Sequence, residues 1–166
     1  MIILGEFFSL LAALCLAYST FSNIKNKMIL WQAINAIFYG LSNLLLGGYT
    51  AVVTNILTLC RNVLQVNGKL NKTSTVIICI LMIGIGVCFN NNGLLGLLPI
   101  IASVSYTICI YVLKSAQKMR VALVINLIQW LFFDFFIKAY PMFVMDLIII
   151  IITLINIFRY KEVKER

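Results

Sequence analysis

Hydrophobic residues in this chain come in long blocks. Seven apolar segments can be drawn, at about 3–22, 28–46, 49–66, 74–90, 94–113, 121–137 and 141–158. Short polar or glycine-bearing breaks at 23–27, 47–48, 67–72, 90–93, 114–120 and 138–141 part them. A bilayer-spanning helix needs about 20 apolar residues, so each segment predicts one span. The second and sixth breaks are short enough to require tight helical hairpins.

Composition agrees. The hydrophobic share is 63 % and the mean hydropathy is +1.06, against about 45–50 % apolar residues in a soluble domain. The chain reads as an integral membrane protein with little outside the bilayer. Its first residues carry no Lys or Arg, whereas a cleavable signal peptide opens on a basic region, so the first segment is expected to be a retained span. Cys15, Cys60, Cys79, Cys88 and Cys109 all fall inside apolar segments. Such cysteines behave as small apolar residues, and no disulfides are expected.

The net charge is +8. The basic residues sit at segment edges, so they point to membrane orientation and not to nucleic acid. Lys25 and Lys27, Lys69 and Lys72, then Lys114, Lys118 and Arg120 fill the first, third and fifth breaks. Arg159, Lys161, Lys164 and Arg166 fill the C-terminal tail. The second and fourth breaks hold none, and the sixth holds only Lys138. The positive-inside rule then predicts an outer N-terminus and a cytoplasmic C-terminus. Only an odd number of spans gives this alternation, which supports seven.

The chain also repeats itself. Lys27, Met28, Ile34, Asn35, Ile37, Tyr49 and Val53 recur 91 positions later as Lys118, Met119, Ile125, Asn126, Ile128, Tyr140 and Val144. Polar positions correspond in kind: Tyr39 with Trp130, Asn43 with Asp134, Asn55 with Asp146. Spans 1–3 thus match spans 5–7, and span 4, with Gly84 and Gly86, is left as a linker. Three helices reverse the chain direction and one extra helix restores it, so the copies are parallel, related by an axis along the membrane normal. The expected fold is an all-α integral membrane domain of seven transmembrane helices in a 3+1+3 arrangement. Its parts are a first repeat at 1–70, a linker helix at 71–92, a second repeat at 93–160 and a cytoplasmic tail at 161–166.

Substrate sites of repeat-built transporters lie between the repeats, which makes the polar residues of the spans candidates. Asn35, Tyr39 and Asn43, and their equivalents Asn126, Trp130 and Asp134, are each spaced i, i+4, i+8, so each set forms one stripe on a helix face. Asn55 and Asp146 lie about 10 Å deep at 1.5 Å per residue, near the middle of a core about 30 Å thick. The amides either contact solute or bond across helices, at about 0.6–2 kcal/mol each. An ionised Asp at the bilayer centre costs about 2.5–3.5 kcal/mol, which singles out Asp146 as a solute, ion or proton site; Asp134 has Lys138 four residues on as a partner. Glu6 either joins an outer vestibule, with a part in ion or proton coupling, or favours the start of its helix. Arg61 is expected to snorkel to the inner surface, Trp31 to anchor at an interface, and Pro99 to bend span 5 as a hinge.

The run Leu44-Leu45-Leu46-Gly47-Gly48-Tyr49, with Asn55 and Arg61 after it, resembles the YgjV family of bacterial inner-membrane proteins. So do Leu97-Leu98-Pro99-Ile100-Ile101, Lys114 to Arg120, Trp130 to Asp134 and Asn156-Ile157-Phe158-Arg159. The order and spacing match over nearly the whole chain. The resemblance implies a multi-pass protein of the bacterial inner membrane; it implies no activity. More distantly, the 3+1+3 arrangement is similar to SWEET, PQ-loop and PnuC-type transporters. Asn55 and Asp146 occupy the places of the SWEET asparagine pair, but the PQ pair and most of the SWEET prolines are missing.

Two functions remain open. One is a small-solute transporter or facilitator with its site between the repeats, taking a polar or cationic solute. The other is a non-transporting membrane assembly, partner or sensor protein, in which the polar stripes hold the bundle together. Homo-oligomerisation is compatible with both. Catalysis is not expected: the chain has no histidine, which removes most metal and Ser-His or Cys-His chemistry, and no metal or cofactor is called for.

Overall fold

The computed structural model describes residues 2–46, 49–90, 93–136 and 140–160, with 2, 46, 49–51, 134, 140 and 141 described by backbone alone. The described residues form seven α-helices and no strand: α1 Ile2–Ser19, α2 Lys25–Leu46, α3 Tyr49–Val66, α4 Lys72–Cys88, α5 Leu97–Val112, α6 Ala116–Phe136 and α7 Tyr140–Arg159. Each falls on one apolar segment. Two stretches, Lys25–Leu45 and Met142–Arg159, are long and apolar enough to cross a bilayer by themselves; α1, α3, α4 and α5 carry shorter apolar stretches.

The helix ends follow from local chemistry. Helix α3 stops at Gly68, whose φ of +67° suits glycine, and the amides of Lys69 and Leu70 turn back to the Leu64 carbonyl. Helix α4 opens on a capping box in which Asn71 accepts from the Ser74 amide and Ser74 returns a bond to the Asn71 backbone. Helix α5 begins three residues later than the apolar pattern indicates, because a turn at 93–96, with Gly93 at φ +56°, comes first. Pro99 is therefore the third residue of α5, where an amide has no intrahelical partner. The expected mid-helix hinge is absent; the proline sits in a first turn, where it is tolerated.

Each helix packs on the next in sequence, and the pairs α1–α7, α2–α6 and α3–α5 close the bundle. Among the described residues, helix α4 touches only α3 and α5. Gly86 lets α4 approach α5 so closely that a Cβ there would lie 2.5 Å from Ile100 Cγ1. Short connections make α1, α3, α5 and α7 run one way and α2, α4 and α6 the other. One end of the bundle, termed the basic end, then gathers Lys25, Lys27, Lys69, Lys72, Lys114, Lys118, Arg120 and Arg159. The buried apolar core lies toward that end, with Met28, Ile29, Tyr106, Ile110, Met119, Leu123 and Leu127 at its heart. The outer surface is apolar: Ile3, Leu14, Ile80, Val87, Ile101 and Ile155 are all exposed.

Candidate functional site

A cavity of about 560 Å³ opens between α1, α2, α6 and α7 in the half of the bundle away from the basic end. Helical spacing explains its walls. Glu6, Ser9, Leu10, Ala13 and Leu16 form one face of α1; Met142, Met145, Asp146 and Ile149 form one face of α7. Asn35 and Tyr39 contribute from α2, and Leu127 and Trp130 from α6. Glu6 is exposed, whereas Asp146, Asn35, Tyr39 and Trp130 are half-buried. The Tyr39 hydroxyl donates to Met142 Sδ at 2.7 Å, a strut from α2 to α7. The floor is apolar and continuous with the core through Leu16, Leu127 and Ile149.

Of the residues the sequence nominates, Glu6, Asn35, Tyr39, Trp130 and Asp146 come together around this space. Asn43, Asn55 and Asn126 are not part of its lining. Asn43 donates to the Tyr39 carbonyl one turn back at 2.8 Å, and the Asn55 Cβ lies where a Cβ on Gly40 would meet it at 3.7 Å. Asn126 donates to the Ala102 carbonyl of α5 at 2.8 Å, as Asn35 donates to the Ala12 carbonyl of α1 at 2.8 Å. The Asp134 side chain and Lys138 lie outside the described residues.

Below the floor, the basic end is bolted shut. Arg120 is only 1 % exposed. Its Nε donates to the Thr20 carbonyl at 2.7 Å, and Nη2 donates to the Ser22 carbonyl and to Asn23 Oδ1, both at 2.8 Å. Gln117 accepts from Arg120 and donates to the Ile157 and Tyr160 carbonyls. Asn156 reaches from α7 to Thr20 Oγ1 at 2.8 Å. These bonds join the ends of α1, α6 and α7, and Lys25 Nζ joins α2 to the Ile110 carbonyl of α5 at 2.6 Å.

Arg61 corrects an expectation. It does not snorkel; it is 3 % exposed. Its guanidinium donates to Thr107 Oγ1 at 2.9 Å and to Asn62 Oδ1 at 3.0 and 3.1 Å, and lies 5.4 Å from the centre of the Tyr106 ring. Gln32 Nε2 donates to the Tyr106 hydroxyl at 2.8 Å. Among the described residues, no carboxylate pairs with Arg61. The signal was in α3 itself: Thr54, Thr58, Arg61, Asn62 and Gln65 form one polar stripe at helical spacing, which turns inward.

The model of the Imp-YgjV family, described as bacterial inner membrane protein, matches residues 3–164. The chain belongs to this family. Its apolar exterior and seven-helix bundle are thereby those of an Imp-YgjV inner-membrane protein. No curated protein and no solved structure matches the chain.

Proposed function

We propose that this chain is a small-solute transporter or facilitator of the inner membrane. Its solute site is the cavity between two three-helix halves, residues 1–70 and 93–160, which α4 joins. The observation that carries this reading is the placement of the cavity, walled by α1 and α2 of one half and α6 and α7 of the other. It is open space at one end of a bundle whose opposite end is closed by core and hydrogen bonds.

A parallel repeat is supported by the two asparagine bonds. Exchanging the halves maps the Asn35 bond to α1 onto the Asn126 bond to α5, and α1 and α5 run in the same direction. The same exchange turns the α1–α7 contact into the α5–α3 contact, and both exist. With the basic end in the cytoplasm, as the positive-inside rule favours, the cavity faces outward. Alternation would rock one half against the other, closing the outer mouth and parting the basic end. The buried Arg61 set favours the second function, a fixed scaffold for partner proteins, because it resembles bundle glue more than a moving gate.

Accessibility decides between them. A variant without native cysteines, carrying Ser9→Cys or Asp146→Cys, should react in intact cells with an impermeant thiol reagent added outside. Ile80→Cys, on the exposed face of α4, should not. Silence at both cavity positions, with reaction restored by detergent, would overturn the proposal.

A further inference from the structure

The lining of the cavity is chemically one-sided. It holds two carboxylates, Glu6 and Asp146, two aromatic rings, Tyr39 and Trp130, and the thioethers of Met142 and Met145. Among the described residues it holds no Lys or Arg. The bias runs against composition, for the chain has 13 basic residues and only 5 acidic ones. The acidic residues are Glu6, Asp134, Asp146, Glu162 and Glu165, so two of the three that precede the tail line this one space.

We propose that the solute held here is an organic cation. This deepens the transport reading above, since it concerns the same cavity. The carboxylates set the sign of the charge: negative groups in a medium of low dielectric favour a positive guest and exclude anions. The rings and thioethers set its kind. Aromatic faces attract a weakly hydrated organic ammonium within about 6 Å of the ring centre, and sulfur packs against alkyl and ring surface. A hard metal ion would ask for several oxygen ligands converging at short range, and the described residues contain no group of three or more His, Cys, Asp or Glu able to hold one. A space of about 560 Å³ is also the size of a small-molecule pocket and far larger than a bare ion needs. Glu6, exposed near the mouth, draws the cation in; Asp146, half-buried, is its counter-charge, with Tyr39 and Trp130 in the same lining.

The chain carries its own reporter. Its two tryptophans are Trp31 and Trp130. Trp31 packs against Tyr18 at 4.5 Å toward the basic end, so Trp31→Phe leaves Trp130 alone to report on the cavity. The purified full chain would be titrated with tetramethylammonium, choline and benzyltrimethylammonium, with 3,3-dimethyl-1-butanol as the uncharged counterpart of choline, and with acetate. The expected result is a saturable change in Trp130 emission with at least one cation and none with the alcohol or acetate. Asp146→Asn should weaken it by about tenfold or more, as losing one partner of a charge contact does, and Glu6→Gln by less. If Asp146→Asn is not monodisperse on gel filtration, Glu6→Gln and the cation-against-alcohol comparison decide. Equal response to choline and the alcohol, response to acetate, or no response to any cation would overturn the proposal. Cation binding without uptake into vesicles would instead sink the transport reading and leave this one standing. Thiol access to the cavity without cation binding would do the reverse.

Discussion

Removing Arg120 should unlock the basic end of the bundle. The side chain bridges α6 to the last turn of α1 and the connection beyond it, through the Thr20 carbonyl, the Ser22 carbonyl and Asn23. Its guanidinium lies 4.9 Å from the centre of the Tyr160 ring. In Arg120→Ala, water can reach Ser22 and Asn23, which are only half-buried. Thr20 is fully buried, so its carbonyl keeps no partner for the lost bond, at about 1–3 kcal/mol. The cation–π contact adds about 0.5–1 kcal/mol, and a hydrogen bond from a charged donor that water replaces imperfectly adds a similar amount. The expected loss is about 2–5 kcal/mol. Arg120→Lys should recover no more than about half, because one ammonium cannot span acceptors that the guanidinium fork reaches together. Equilibrium unfolding of the purified protein in mixed micelles, with increasing sodium dodecyl sulfate, measures this directly. Arg120→Ala within about 0.5 kcal/mol of the parent, the range of an inconsequential surface change, would refute the bolt.

Two further outcomes follow from packing and burial. Gly86→Ala should destabilise by about 1–3 kcal/mol, because the new methyl would lie 2.5 Å from Cγ1 of Ile100, a β-branched side chain that is stiff in a helix. Gly84→Ala, with open space at that position, should be neutral or slightly stabilising in the same assay. Arg61→Met should change stability by less than about 1 kcal/mol, because losing the bonds to buried Asn62 and Thr107 costs about as much as removing the buried charge gains. A loss above about 1 kcal/mol would mean that the bonds to Thr107 and Asn62 outweigh desolvation.

The helices were legible because lipid demands it. A chain that crosses a bilayer must satisfy its backbone within each segment, so apolar run length and helix length coincide, and all seven helices fall on the seven runs. Boundaries drifted where glycine geometry intervened. The turn at 93–96 looks as apolar as the helix after it, with Leu94 and Leu95 in it, and only the positive φ of Gly93 separates the two. The polar and aromatic part of the candidate cavity was legible too. Glu6, Asn35, Tyr39, Trp130 and Asp146 stood out because polar and aromatic groups in an apolar run must be placed somewhere, and facing inward costs least.

What the sequence hid was which inward direction each side chain takes. Asn35 and Asn126 stand 91 positions apart and each bonds a carbonyl of the helix before its own, yet of the two only Asn35 lines the cavity. The difference lies on the other side of the bundle. There α4 packs against α3 and α5, and Arg61, Asn62, Tyr106 and Thr107 fill the space between helices. On the α1–α7 side the described residues place no further helix against both members of the pair, and the cavity opens there above Leu16 and Ile149. The two flanks thus differ by one helix: α4 backs the polar core between α3 and α5, and the cavity lies on the other flank. That asymmetry is a property of contacts among α3, α4 and α5, so no inspection of one helix's pattern alone could reveal it. It also explains why the charge signs part company. The basic Arg61 is buried in the flank beside α4, while Glu6 and Asp146 line the cavity on the other flank, so the carboxylates and not the guanidinium set the charge of its walls.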